Sequence, residues 1–146
     1  MLADLASQRT SVTVNGWDVS SKAGIQFEAT ESAISPELNG DRSGISILQS
    51  AVGARKEALA HTVPLNSQEA QAVAESFFKM SARRFVVGRG VAETSSSLRV
   101  GTTVELRNLG PLFNGRYYVT EVVHLFDSVK GLRSEFCAER PGIGNS

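Results

Sequence analysis

Three stretches in the second half of the chain alternate apolar and polar residues with the period of a half-buried strand. Leu98, Val100, Thr102, Val104 and Leu106 alternate with Arg99, Gly101, Thr103, Glu105 and Arg107, which predicts a strand with one dry and one wet face. Arg116 to Phe126 is rich in aromatic and β-branched residues. Beyond a turn, Leu132, Phe136 and Ala138 fall on one face with Arg133, Glu135 and Glu139 on the other. Glycine-containing loops join the three runs, so the pattern predicts an antiparallel meander.

Upstream the periods change. Residues 1–10 read as a helix end or a tether. Ser11 to Trp17 alternate Val12 and Val14 with polar neighbours, a short strand that Asn15-Gly16 bends or ends. Val19 to Arg42 shows no sustained period and reads as a long loop. Such loops are uncommon in compact domains unless functional, which makes Ser20 to Arg42 a candidate contact arm. Ile45, Leu48 and Val52 stand at helical spacing, with Gly53 placed to stop the helix. Glu57 to Val63 reads as a strand ended by Pro64.

The best-marked helix follows. Asn66 and Glu69 stand at capping-box spacing. Ala70, Val73, Ala74, Phe77 and Ser81 then line one face, and Gln68, Gln71, Glu75 and Lys79 lie elsewhere. An apolar face of that width has to cover a sheet, and the meander strand of Leu98, Val100, Val104 and Leu106 is the expected partner. Phe85 to Val91 is a further strand, linked to the meander through Thr94-Ser-Ser-Ser. About six strands and two helices predict an α+β domain over residues 11–140: a small antiparallel barrel or rolled sheet with one amphipathic helix on its flank.

Composition narrows the functional classes. Fifteen Lys and Arg balance 15 Asp and Glu, so no overall basic field is available to hold a nucleic-acid backbone or an anionic membrane. The single cysteine, Cys137, excludes an intrachain disulfide and falls by alternation on the charged face of its strand. No apolar run approaches the roughly 20 residues that span a bilayer, and the first residues lack the basic region of a signal peptide; a soluble, cytoplasmic product is the expectation.

Site chemistry is sparse. His124 has Glu121 three residues before it and Asp127 three after, a spacing that throws strand side chains to opposite faces. A hydrogen-bonded sheet histidine is the plainer reading. The competing one is a small-molecule-binding barrel or hydrolase with a site around His124 and Asp127. His61 is isolated, and two such histidines do not make a zinc site. Gly88-Arg89-Gly90 reads as a bend or bulge, and Ser95 to Ser97 as a linker. Arg83-Arg84 is either a small basic patch or a favourable helix end. Tyr117 and Tyr118 point to opposite faces, so at most one is core. No cofactor or metal is expected.

The ordered set V-N-G-W-D, N-S-Q-E-A, L-R-V-G-T-T-V-E-L-R-N-L-G, F-N-G-R-Y-Y-V-T-E-V-V-H-L-F-D and G-L-R-S-E-F, spread from about Val12 to Gly144, resembles the phage late control protein D family. That family includes the baseplate hubs of contractile tails and the hub half of the VgrG spike. The resemblance implies a non-catalytic structural component of a contractile injection system, built on a tail-tube fold. It implies a homotrimer in the full-length hub, partnered by a tail tube protein and a spike protein. It further implies bacterial cytoplasm during assembly and then a virion tail or injection particle, with residues 141–146 as an exit linker. On that reading Arg99, Thr103, Glu105, Arg107 and Glu121 are lumen or interface candidates. Gln68, Gln71, Glu75 and Lys79 are candidates for contact with a neighbouring ring.

Overall fold

A computed structural model describes residues 1–145. The element order is β1 (Leu2–Ala3), β2 (Ser11–Asp18), β3 (Ala23–Ala29), a 3-10 turn (Glu31–Ile34), α1 (Ser35–Leu38), β4 (Arg42–Ser43), α2 (Gly44–Val52) and β5 (Lys56–Leu59). It continues with α3 (Ser67–Arg83), β6 (Val86–Glu93), β7 (Thr103–Leu106), β8 (Gly115–Asp127), β9 (Gly131–Arg140) and β10 (Gly142–Ile143). The strands form three sheets: five strands in the order β1-β6-β9-β8-β7, three in the order β3-β2-β5, and the pair β10-β4. The architecture is α+β. Its five-stranded antiparallel sheet is curled but open, and nothing in it singles out a tail tube.

Two cores hold the elements together. The first joins Val12 and Val14 of β2, Ile25 and Ala29 of β3 and Leu59 of β5 to Ala70, Ala74, Phe78 and Ala82 of α3, with Ile34 and Ile45 closing the end. The stripe recurs every four residues; its three alanines let the helix approach the sheet closely, while Phe78, 1% exposed, supplies the bulk. Burying a side chain of that size is worth ~1.5–3 kcal/mol. The cap is as the spacing predicts: Asn66 Oδ1 accepts the Glu69 amide at 2.8 Å, although Glu69 Oε2 reaches back to the Leu65 amide instead of that of Asn66. The second core, Phe85, Val86, Tyr117 and Ala138 with Val104, Leu106, Phe113 and Phe136 against it, lies on the five-stranded sheet.

Several expectations are corrected. The supposed loop over Val19 to Arg42 contains β3, which pairs antiparallel with β2 from Val12↔Ala29 to Asp18↔Ala23. Asn15-Gly16 therefore lies mid-strand, and the turn falls after Asp18. Helix α3 covers the three-stranded sheet, not the Leu98 to Leu106 run, and its buried stripe is Ala70, Ala74, Phe78 and Ala82, with Phe77 only partly buried. The stripe turns by one position because β2 and β3 lie under Phe78. Only Thr103–Leu106 of the alternating run is strand. Ahead of it Thr102 Oγ1 donates to Arg99 O at 2.7 Å, and Gly101 at φ 88° makes a turn that leaves Val100 exposed.

The remaining differences are smaller. The strand expected over Glu57 to Val63 is shorter, Lys56–Leu59, and runs parallel to β2. Gly88-Arg89-Gly90 is neither bend nor bulge but lies within β6, where a side chain at Gly90 would strike the Phe136 ring. Within residues 1–10, read as a helix end or a tether, Leu2–Ala3 pairs with β6, and the buried Gln8 amide donates to Ser81 O at 3.0 Å. Gly142–Ile143, read as exit linker, pairs with β4. Three helices and a 3-10 turn stand where two helices were expected.

Candidate functional site

A cleft of about 510 Å³ opens where α1, the end of α3 and one end of the five-stranded sheet meet. Glu37 and Asn39 come from α1 and its C-cap, Arg83 from the last turn of α3, Thr103 and Glu105 from β7, Arg116 and Tyr118 from β8, and Glu139 from β9. Asn39 ends α1 in the left-handed region at φ 49°, a conformation asparagine tolerates well, and so turns the chain at the cleft lip.

The central group is Arg83. Its Nε and Nη2 each donate to Glu37 at 2.7 Å, a bidentate fork, and its guanidinium lies 3.9 Å from the Tyr118 ring centroid. The bond to Glu37 is the main cause holding the guanidinium above its ordinary pKa. Arg83-Arg84 is thus more than a dipole-favoured helix end, since Arg83 ties α3 to α1 and to the sheet. Beside it Glu139 is half-buried. Desolvation pushes its carboxyl above the ordinary glutamate value, opposed by the charges of Arg84 and Arg83.

The cleft wall is fixed from behind by Arg140, 2% exposed. Its Nη1 donates to Asn114 O at 2.7 Å, its Nε donates to Asp41 Oδ2 at 3.1 Å, and Nη2 also donates to Asp41. The Tyr117 ring lies beneath it, with the hydroxyl donating to Phe113 O at 2.7 Å. Burial pushes the Tyr117 hydroxyl up. Gly115, at φ 140°, is needed here: a Cβ would meet the Arg140 guanidinium at 2.9 Å. The two tyrosines do divide between faces, Tyr117 in the core and Tyr118 in the cleft.

The nine residues singled out from sequence are not brought together. Thr103 and Glu105 line the cleft, and Arg107 donates to Glu105 from Nε and Nη2 at 3.2 and 3.0 Å on open surface. Arg99 turns back on Ser96 O at 2.7 Å. Glu121 belongs to a separate groove of about 380 Å³ with Arg89, Glu135 and Cys137. On the solvent face of α3, Gln71 donates to Glu75 at 2.8 Å and Lys79 lies 3.9 Å from Glu75; Gln68 is exposed. Nor do His124 and Asp127 form a pair. His124 Nδ1 shares a 2.7 Å hydrogen bond with Ser134 Oγ, and Asp127 Oδ1 accepts the Val129 and Lys130 amides in its own turn. Among the described residues no group of three or more His, Cys, Asp or Glu is placed to hold a metal ion, and no helix is long and apolar enough to cross a membrane.

Sequence reasoning missed Glu37, Asn39, Arg116 and Glu139 as cleft residues. The one signal was the adjacency of Arg83-Arg84 and Tyr117-Tyr118 to element ends. Nothing local could have shown that α1 exists to carry Glu37.

Comparison with known proteins alters the functional picture. No curated protein matches the sequence. The family described as the Alg8 N-terminal domain matches residues 3–127. This match overturns the late control protein D resemblance, and with it the baseplate-hub role, the reading as a non-catalytic structural protein and the placement in cytoplasm and then a virion tail or injection particle. The match says nothing of a trimer or of tail-tube and spike partners, which rested on that resemblance alone. Over most of its length, then, the chain belongs to the Alg8 N-terminal domain family.

Proposed function

We propose that the chain is an N-terminal domain of a glycosyltransferase-related protein and that the Arg83–Glu139 cleft is the surface it turns toward the carbohydrate substrate. The family match supports the first half, the Alg8 family being one of glycosyltransferases. The observation that carries the second is the composition of the cleft. Glu37, Glu105 and Glu139 face Arg83 and Arg116 around the Tyr118 ring, so donors and acceptors converge with no excess of positive charge. Sugar hydroxyls both donate and accept, and carboxylate and guanidinium pairs answer both roles. A polyphosphate would meet three carboxylates there. The cleft therefore favours the acceptor sugar over the nucleotide part of a donor.

The protein that carries this domain should transfer sugar from a nucleotide-sugar donor, and Glu139→Gln in it should raise KM for the acceptor by about tenfold, the loss of one charge-assisted hydrogen bond, with KM for the donor unchanged. Transfer undetectable with every donor tested would remove the first half. Unaltered acceptor KM in both Glu139→Gln and Tyr118→Ala would remove the second.

A further inference from the structure

The solvent face of the three-stranded sheet carries an arrangement that the cleft does not explain. Alternation sends Val12 and Val14 into the core and turns Thr13, Asn15 and Trp17 outward. Antiparallel register then places Gly24 beside Trp17, Gln26 beside Asn15 and Glu28 beside Thr13. Same-face neighbours stand ~6.8 Å apart along a strand, two rises, and ~4.8 Å apart across it. The result is a short ladder: an indole, a pair of side-chain amides, and a hydroxyl beside a carboxylate.

Trp17 is 53% exposed, although a tryptophan ordinarily buries most of its large apolar surface. Its cross-strand neighbour has no side chain, and a Cβ built on Gly24 would meet nothing within 4 Å, so that flank of the indole stands clear. The hairpin that holds the ring is fixed. Asp18 Oδ1 accepts the Ser20 and Ser21 amides at 2.8 and 3.2 Å, closing the turn immediately after the tryptophan. At the far end of the ladder Lys56 Nζ lies 3.5 Å from Glu28, so this pair cancels in charge.

The geometry points to a binding platform for a neutral oligosaccharide on this face, separate from the cleft. The apolar C–H face of a pyranose stacks on the open side of the Trp17 ring, which lowers the cost of its exposure. The next residue of the chain then lies over Asn15 and Gln26, whose amides each present a donor and an acceptor to hydroxyls. A nucleic-acid strand would need a cationic track, and Lys56 is already neutralised. A protein partner would need an apolar centre with a polar rim, whereas here one aromatic ring sits at the end of a polar row.

Trp17 is the sole tryptophan of the sequence, so its fluorescence reports on the platform directly. Titrating the protein with cellohexaose and with maltohexaose, the emission should shift to the blue and saturate with at least one of them. Trp17→Ala should abolish binding measured by calorimetry, Trp17→Phe should retain part of it, and Gln26→Ala should weaken it about tenfold. In Glu139→Gln the midpoint of the Trp17 emission change should stay in place even as the acceptor KM rises, which separates this surface from the cleft. No saturable emission change with either hexasaccharide at millimolar concentration would overturn the proposal, as would calorimetric binding that survives Trp17→Ala. Saturable binding lost in Glu139→Gln but kept in Gln26→Ala would place the sugar in the cleft and equally overturn it.

Discussion

The two cores of this protein solve different problems. That between α3 and the three-stranded sheet is dry: valines, isoleucines, alanines and Phe78 meet with no charged group among them. That of the five-stranded sheet is small, with Tyr117 at its centre, and it admits the buried Arg140 and its partly buried partner Asp41 at its edge. The first stabilises by excluding water. The second trades apolar area for a wall of fixed polarity, and the cleft is built on that wall. Where a sheet carries a site, part of its interior is given over to holding the site's backing in place.

Breaking the dry core should have the largest effect. Phe78→Ala is expected to cost ~3–5 kcal/mol in urea denaturation, the range for aromatic truncation in a core. Phe77→Ala, on the partly buried flank, should cost clearly less; equal losses would show that the stripe is wider than Phe78 alone. Next comes the polar wall. Asp41→Ala leaves the Arg140 guanidinium buried with only Asn114 O and the Tyr117 ring, and should cost about 3 kcal/mol. A loss below about 1 kcal/mol would mean that water replaces the carboxylate at no great cost and that the two cores differ less than their composition suggests.

The smallest effect sharpens the comparison through pH. Glu139 has its folded pKa raised by burial, so the folded state favours the protonated acid. Its contribution is most favourable below the unfolded glutamate value and is lost as pH rises through the raised one. Glu139→Gln should therefore melt higher than wild type at neutral pH, with the difference shrinking as pH falls through the raised value toward the ordinary glutamate range. The exposed Glu105, held low mainly by Arg107, runs the opposite way. A difference between Glu139→Gln and wild type that does not change with pH would assign the effect to shape instead of charge.

The comparison also explains what could be read in advance. Dry-core elements announce themselves by period and cap: β2, α2 and α3 were all legible, down to the Asn66 cap. Strand β3 was not. Its alternation of Ile25, Phe27 and Ala29 with Gly24, Gln26 and Glu28 is only seven residues long and is flanked by serines and glycines that read as loop. Conversely, the cleanest alternation in the chain, from Leu98, is strand for only its last four residues through Leu106, because Gly101 at φ 88° turns the backbone ahead of them. The cleft was the least legible part. Glu37, Arg83 and Glu139 are far apart in sequence, and the contacts that join them are tertiary. The bond between Asp41 and Arg140 was equally invisible, since an arginine ending a strand is ordinarily taken for solvent-facing.

That last bond also bears on how the chain must fold. Asp41 and Arg140 are separated by 99 positions of the 146, and beside them β4 zips to β10, so one polar clasp closes about two thirds of the chain as a single loop. The parallel pairing of β2 with β5 and the docking of β1 on β6 add further distant closures. Each must be reached by diffusion before it returns any stability, so slow folding is the expected outcome. The same clasp works in reverse during unfolding. The C-terminal strand cannot peel away without drawing a desolvated guanidinium off its carboxylate. If that separation happens at or before the barrier, Asp41→Ala should shorten the lifetime of the native state more than it slows its formation.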